Sequence, residues 1–190
     1  DYGFVAVCMG KGIANILKDL GVDRVIEGGQ TMNPSTDDIL KAVKRVKAKT
    51  VYVFPNNKNI IMAANQAAEL VEDKKIVVIP SKSVPQCISA MVEFNDKKSA
   101  EANEKAMNKA IGRVTSGQLT YAVRDTEIDG IEIKKDDILG MVEGKIVTVG
   151  KDIDDVLNRV VSQMVDEDTE FLNVYYGKEI KKPQADVMLK

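Results

Sequence analysis

The chain has 190 residues, a formal net charge of -2 and a hydrophobic content of 44%. This length allows one large domain or two small ones with a proper core, and the balanced charge gives no reason to expect nucleic-acid binding. Histidine is absent, which excludes histidine-based triads, general bases and metal sites within this chain. No apolar run approaches transmembrane length, no signal peptide is visible, and the two cysteines lack disulfide or metal spacing. We therefore expect a cytoplasmic protein.

The first half of the sequence alternates short apolar strands with amphipathic helices. The predicted strands are Phe4–Met9, Arg24–Glu27, Thr50–Phe54 and Ile76–Ile79. The predicted helices are Ile13–Leu20, Ser35–Lys47, Lys58–Val71 and Val84–Phe94. Alternation of this kind predicts right-handed crossovers and a parallel sheet, and the valine-rich and isoleucine-rich strands are typical of a sheet covered on both faces.

The second half changes character after a polar helix predicted at Lys97–Ile111. The predicted strands are Leu119–Ile128, Ile131–Ile133, Ile138–Val142, Lys145–Val149 and Phe171–Tyr176, with a helix at Ile153–Val165. Asp129-Gly130 and Glu143-Gly144 are typical hairpin turns, so we expect an antiparallel sheet with helices on one face.

The predicted fold class is therefore α/β, with a parallel α/β subdomain over residues 1–95 and an antiparallel α+β subdomain over residues 96–190. The chain does not begin with methionine, and it stops inside Pro183–Lys190, a segment that could be a helix. We therefore expect a fragment of a longer protein, or a piece of one chosen for expression, with the second subdomain incomplete at its C-terminus.

One turn carries most of the predicted chemistry. It spans Glu27–Asp38, between a buried strand and a helix, and contains two glycines followed by Gln30, Thr31, Asn33 and Ser35. The glycines allow close approach of a ligand to the backbone, and the free N–H groups at a helix start favour an anion. Ser35 with Asp38, or Asn33 with Pro34, also fits a helix cap, so a capped turn without a ligand is the alternative.

The other strands of the first half also end in polar turns. Asn57 follows the third strand, and Ser81 and Ser83 follow the fourth. Because ligands of open α/β sheets bind beyond the carboxyl ends of the strands, we predict that these residues share one cleft with the Glu27–Asp38 turn. Four ordinary turns are the alternative, since such turns favour asparagine, serine and glycine anyway. Gly10-Lys11-Gly12 matches neither a dinucleotide fingerprint nor a P-loop.

Several segments together resemble one bacterial family. They are VIEGGQTMNPSTDD (25–38), FPNNKNII (54–61), IPSKSVPQ (79–86), SGQLTYAVRDTEIDG (116–130) and the region from Lys134 to Gly144. The chain is similar over nearly its whole length to the C-terminal domain of YloV-type proteins, the dihydroxyacetone-kinase-like proteins that form the A-type subunit of fatty acid kinase. That domain is in turn similar to the DegV family of fatty-acid-binding partner subunits, whose Thr-Ser-Gln-Pro-Ser turn corresponds to Thr31–Ser35 here.

The resemblance implies a bacterial domain of phospholipid metabolism that acts beside a kinase. ATP and magnesium would belong to a separate domain of the parent protein, because no part of this chain matches that domain's aspartate-rich motif. We therefore expect no cofactor, no metal and no catalytic residue in this chain, and no activity of the fragment alone. DegV proteins also hold the fatty acid carboxylate with a late histidine, which this chain lacks.

Two functions remain open from the sequence. The first is a non-catalytic domain that docks the DegV-type fatty-acid-binding partner and helps to position the acyl carboxylate for phosphorylation. The second is a DegV-like module that binds its own lipid or small anion. A long apolar cavity beside Thr31 and Ser81 would favour the second, and a shallow cleft plugged by side chains would favour the first.

Overall fold

A parallel sheet of four strands forms the centre of the first half of the computed structural model, which describes residues 1–29, 32–128, 130–177 and 180–188. The strands are β1 (Tyr2–Cys8), β2 (Arg24–Glu27), β3 (Thr50–Phe54) and β4 (Lys75–Val78), in the spatial order β2-β1-β3-β4. Val5 of β1 lies opposite both Arg24 of β2 and Val53 of β3. The chain thus turns to one side of β1 and then to the other, which places a topological switch point between β1 and β3.

Five helices accompany this sheet in the described part of the chain. They are α1 (Lys11–Asp19), α2 (Thr36–Lys44), α3 (Ile61–Glu69), α4 (Val84–Glu93) and α5 (Ala100–Ile111). Side chains from α1, α4 and α5 pack with Phe4, Tyr52 and Phe54 on one face of the sheet. Side chains from α2 and α3 pack on the other face with Val5 and Val53. Two apolar layers therefore cover the sheet, as the uninterrupted apolar strands predicted.

The second half contains a separate antiparallel sheet. Its strands are β5 (Gly117–Tyr121), β8 (Ile138–Val142) and β9 (Lys145–Gly150), in the order β5-β8-β9. Strands β6 (Thr126–Ile128) and β7 (Ile131–Ile133) form a two-stranded hairpin, α6 (Ile153–Met164) packs on the three-stranded sheet, and α7 spans Lys182–Met188. The predicted fold class, a parallel α/β part followed by an α+β part with an antiparallel sheet, is confirmed.

The chain divides into two units, residues 1–114 and 115–190. The sequence suggested a boundary near residue 95, which would assign α5 to the second subdomain. In the structure α5 packs against α4, and its Met107 belongs to the core of the first unit. The polar outer surface of α5 suggested a new subdomain, but its buried stripe completes the cover of the parallel sheet.

Two predicted strands differ in the structure. The predicted strand Leu119–Ile128 is two strands, Gly117–Tyr121 and Thr126–Ile128. The Ala122 N–H still donates to the Asp137 carbonyl in the β5–β8 register, and the chain leaves the sheet after this residue. Phe171–Tyr176 is not a strand at all. All six of its residues are exposed, and a β-prone sequence becomes a strand only where a neighbouring strand can pair with it.

Candidate functional site

The four strand ends of the parallel sheet are joined by asparagine and serine side chains. The Asn56 side-chain amide, just after β3, donates to the Val7 carbonyl of β1 at 2.9 Å. The Ser81 hydroxyl, after β4, donates to the Asn56 side-chain oxygen at 2.6 Å and accepts from the Asn56 N–H at 3.2 Å. The side-chain amide of Asn57 donates to the Gly29 carbonyl in the turn after β2. The turns after β2, β3 and β4 are therefore tied into one layer above β1.

Asn56 was not among the predicted ligand residues, although its turn, FPNNKNII (54–61), is part of the family resemblance. Its φ of 55° lies in the left-handed region, which asparagine tolerates better than other side chains. This backbone conformation accompanies two bonds of its side chain, one towards β1 and one towards Ser81. The run Pro55-Asn56-Asn57 directly after a buried strand was the available signal, because asparagine in such a turn is a frequent left-handed residue.

The predicted residues occupy three kinds of position. Asn57 and Ser81 belong to the layer of strand-end bonds, and Ser81 is completely buried. Ser35 and Ser83 are the N-caps of α2 and α4. Asn33 is exposed in the turn before α2. Gln30 and Thr31 lie outside the described residues, so their part of the prediction has no structural counterpart here.

The cap of α2 is a complete capping box. The Ser35 hydroxyl accepts from the Asp38 N–H at 3.2 Å, and the Asp38 carboxylate accepts from the Ser35 N–H at 2.9 Å. The bond from the Ser35 hydroxyl, followed by the one from its N–H, lowers the pKa of Asp38. Two N–H groups at this helix start are therefore already satisfied by the chain itself.

Two other helix starts at the same edge lack such caps. α1 begins after Gly10 and α3 after Ile60, and neither has a side-chain hydrogen bond at its N-cap among the described residues. A Cβ added to Gly10 or Gly12 would meet no atom within 4 Å, so the space before α1 is open. These two helix starts follow β1 and β3, the strands that flank the switch point, and their N–H groups are suited to an anion.

The two thiols near this edge are protonated at neutral pH. Burial raises the pKa of Cys87 to about 12, and burial followed by the charge of Glu27 raises the pKa of Cys8. A nucleophilic cysteine needs the opposite shift. Among the described residues no group of three or more acidic or cysteine side chains could hold a metal ion. The described strand-end residues thus offer hydrogen bonds and helix starts, and neither thiol is activated as a nucleophile.

Two cavities formed by described residues lie away from the strand ends. One of about 470 Å³ is formed by β9 and α6 and is lined by Thr148, Asn158 and Arg159 among others. Another of about 450 Å³ lies beside Leu70 and Asp73, after α3. Neither is lined by a predicted site residue. No helix in the described part of the chain is both long and apolar enough to cross a bilayer.

Comparison with known proteins gives a match over residues 3–190 to the FakA-like C-terminal family, the C-terminal domain of proteins like the A-type subunit of fatty acid kinase. The chain is 50% identical over 185 residues to protein YloV of Bacillus subtilis (strain 168), covering 97% of this chain and 33% of that protein. It is 45% identical over 185 residues to an uncharacterised protein of Staphylococcus aureus (strain USA300), covering 97% of this chain and 34% of that protein. The chain thus spans about a third of the curated relatives it matches.

Among solved structures, the phosphotransferase system component EIIA from Streptococcus agalactiae aligns with a TM-score of 0.42 and 16% identity. The alignment covers 59% of this chain and 93% of that one. Similarity at this level does not establish a shared fold.

Proposed function

Because this chain belongs to the FakA-like C-terminal family of fatty acid kinase proteins, we propose that it is the accessory, non-catalytic part of such a kinase. In this proposal it docks a DegV-type fatty-acid-binding partner and helps to position the acyl carboxylate, while a separate domain of the longer protein supplies ATP, magnesium and phosphoryl transfer. The observation that carries the proposal is the family match over residues 3–190.

The chemistry of the strand-end residues supports an accessory role. The buried Ser81 hydroxyl is bonded to Asn56, and Ser35 is bonded within its own cap. These groups hold turns in place, which is what a rigid docking platform requires. Phosphoryl transfer depends on charge stabilisation and bound magnesium, and the described residues offer no cluster of metal ligands for it.

A second candidate function is a DegV-like module with its own lipid or small anion. The uncapped starts of α1 and α3 on either side of the switch point favour it, because their N–H groups and dipoles attract a carboxylate or phosphate. Uncharged donors bind such a group without burying a lysine or arginine. Asn33, Asn57 and the caps Ser35 and Ser83 would then line the approach to the anion, with Gln30 and Thr31 from the same turn.

The test is calorimetric titration of the 190-residue chain with three probes: the fatty-acid-loaded DegV-type protein of the same bacterium, a free fatty acid, and Mg-ATP. We expect binding of the loaded protein and no heat with Mg-ATP, whereas the full-length kinase protein serves as the positive control for the nucleotide. Binding of the free fatty acid without binding of the loaded protein would select the second function. Micromolar binding of Mg-ATP by the chain would contradict the accessory role.

The contribution of the Glu27–Asp38 turn is tested with the variant Thr31→Ala/Asn33→Ala. Asn33 is exposed, so its replacement leaves the capping box and the core intact. The control, Asn65→Ala/Ser162→Ala, changes exposed amide and hydroxyl groups in the middle of α3 and in α6. We expect the first variant to weaken binding of the loaded protein about tenfold, as for the loss of one or two hydrogen bonds, and the control to have no effect. Equal affinities would show that the turn only connects β2 and α2.

A further inference from the structure

Three lysines at the carboxyl edge of the parallel sheet have no internal partner among the described residues. Lys11 begins α1 after β1, Lys58 follows β3, and Lys82 follows β4. None of their ammonium groups has an ion pair or hydrogen bond within the described ranges. We call the surface formed by these three lysines and by Met9, Met32 and Met62 the basic edge.

The amino edge of the same sheet is different. There Lys49 lies 3.9 Å from the Asp1 carboxylate, Lys74 donates to the Val46 carbonyl at 2.8 Å, and Lys75 pairs with Glu101. At the carboxyl edge the acidic groups are Glu27, which ends β2, and two carboxylates of α2. Asp37 pairs with Lys41, whereas Asp38 keeps its negative charge because its partner Ser35 is neutral. With Lys41 included, four ammonium groups thus lie at this edge against three carboxylates, an excess of one positive charge.

Exposed methionines stand among these lysines. Met9 follows β1, Met32 lies in the turn after β2, and Met62 is in the first turn of α3, with exposed fractions of 46%, 78% and 71%. Methionine is flexible and polarisable, and it is over-used at surfaces that adapt to a protein partner. A membrane is a poorer match, because interfacial binding uses aromatic residues and leucine on a helix face, and three lysines attract an anionic bilayer weakly. The basic edge thus fits an acidic and apolar polypeptide.

The same chain carries such a polypeptide. In Asp166–Tyr176, which we call the acidic-apolar segment, every residue is exposed and none is in a helix or strand. Its first part is Asp-Glu-Asp-Thr-Glu, and among the described residues none of these carboxylates has an ion pair. Its second part exposes large apolar side chains, Phe171 by 83% and Tyr176 by 50%. Exposure of this many neighbouring apolar groups marks an interaction surface.

We propose that two copies of this chain associate by exchanging this segment. The acidic part of one copy lies against Lys11, Lys58 and Lys82 of the other, and the apolar part covers Met9, Met32 and Met62. The segment is long enough to cross the edge, because eleven extended residues reach roughly 36 Å and the four strands of the sheet are together only about 14 Å wide. Reciprocal exchange gives two equal contacts and a closed two-fold dimer, with no free end for further growth.

This inference does not rest on the proposed function, because it is measured without any partner protein. Sedimentation velocity of the 190-residue chain should show a dimer that dissociates on dilution. Raising the salt from about 0.05 to about 0.5 M should weaken it, since the screening length falls to a few ångströms. A chain that stays monomeric up to about 1 mM, a range in which specific dimers form, would overturn the proposal. So would a dimer that is insensitive to salt.

Charge neutralisation locates the contact. Lys11→Gln/Lys58→Gln/Lys82→Gln should raise the dimer dissociation constant about tenfold or more, as expected for several ion pairs lost in both contacts. The control removes the same charge from three exposed lysines at the other end of the first unit, which have no ion pair within the described residues. This variant, Lys44→Gln/Lys47→Gln/Lys97→Gln, should change the constant less than about twofold. Circular dichroism checks that both variants remain folded. Equal effects of the two variants would contradict the assignment of the basic edge.

Charge reversal identifies the occupant. One variant carries Lys11→Glu/Lys58→Glu/Lys82→Glu, and the other carries Glu167→Lys/Asp168→Lys/Glu170→Lys. Each variant should be monomeric alone, because the charges on its basic edge and on its acidic-apolar segment then have the same sign and repel. An equimolar mixture should form heterodimers, since both contacts then join opposite charges. Failure of the mixture to associate, with both variants folded, would rule out the segment as the occupant of the edge.

Discussion

At the scale of the residue, Asn56 and Ser81 show how polar side chains at strand ends can serve the fold. Two hydrogen bonds, 2.6 and 3.2 Å long, join the Ser81 hydroxyl to Asn56. This hydroxyl is completely buried, so water cannot take the place of either partner. A buried donor or acceptor without a hydrogen-bond partner lowers the stability of the fold by about 1–3 kcal/mol, whereas an exposed one bonds to water and lowers it little. Ser81 was predicted as a ligand residue, and the structure gives it an internal partner.

We expect Ser81→Ala to lower the free energy of unfolding by about 1–3 kcal/mol, because the Asn56 side-chain oxygen and N–H lose their partner. Urea denaturation followed by circular dichroism measures the change. The control is Ser89→Ala, in which a better helix former replaces a half-buried serine of α4 whose side chain makes no hydrogen bond within the described residues. If Ser81→Ala is as stable as this control, the strand-end bonds do not hold the turns.

At the scale of the element, glycines set the distance between α6 and its sheet. A Cβ on Gly140 of β8 would lie 2.6 Å from Val160 Cγ2 and 3.0 Å from Val156 Cγ1, both side chains of α6. Gly117 of β5 and Gly150 of β9 face the same helix at comparable distances. Three neighbouring strands thus present a bare backbone to α6, which lets its valines approach the sheet closely.

Gly140→Ala should therefore destabilise the second unit by about 1–3 kcal/mol, the usual penalty for overpacking a closed interface. Its Cβ would also meet Thr148 Cγ2 at 2.5 Å, so the clash involves β9 as well as α6. The matched control is Gly177→Ala, where an added Cβ meets no atom within 4 Å. Hydrogen exchange of the amides of β8 and α6 reports the change in this unit alone. Unchanged protection in Gly140→Ala would mean that α6 can move away without loss.

At the scale of the whole molecule, the chain is two units with separate cores, and α5 decides where the first unit ends. Met107 and Ala110 of α5 are 0% and 2% exposed, and Met107 packs in the layer that contains Tyr52 and Met91. The Tyr52 hydroxyl also donates to the Ala100 carbonyl at 3.0 Å. The sheet of the first unit is therefore covered only when residues beyond 95 are present.

We expect residues 1–114 to fold alone and residues 1–95 to fold poorly. Loss of α5 uncovers part of one apolar layer, and loss of its fully buried methionine alone corresponds to roughly 2–5 kcal/mol. Thermal unfolding and dye binding of the two separately expressed pieces make the comparison. A cooperative transition of residues 1–95 at the same temperature as residues 1–114 would support a boundary near residue 95.

Much of the architecture was determined by the sequence itself. Periodicity of apolar residues fixed the alternation of strands and helices in the first half, because a strand buried on both faces needs an uninterrupted apolar run. The Glu143-Gly144 turn specified its hairpin locally, and both residues adopt the positive φ values, 50° and 76°, that such turns require. Ser35 likewise signalled its cap through the position of Asp38.

Tertiary structure alone decided the rest, because the deciding contacts join residues distant in sequence. Nothing near Ser81 in the sequence shows that its hydroxyl donates a hydrogen bond to Asn56, 25 positions away. Phe171–Tyr176 has the composition of a strand, but pairing depends on a neighbour that no local pattern contains. The stripe of α5 fits either unit by periodicity, and only packing against α4 assigns it. Local propensity thus specified the elements, and long-range burial and hydrogen bonding specified their partners.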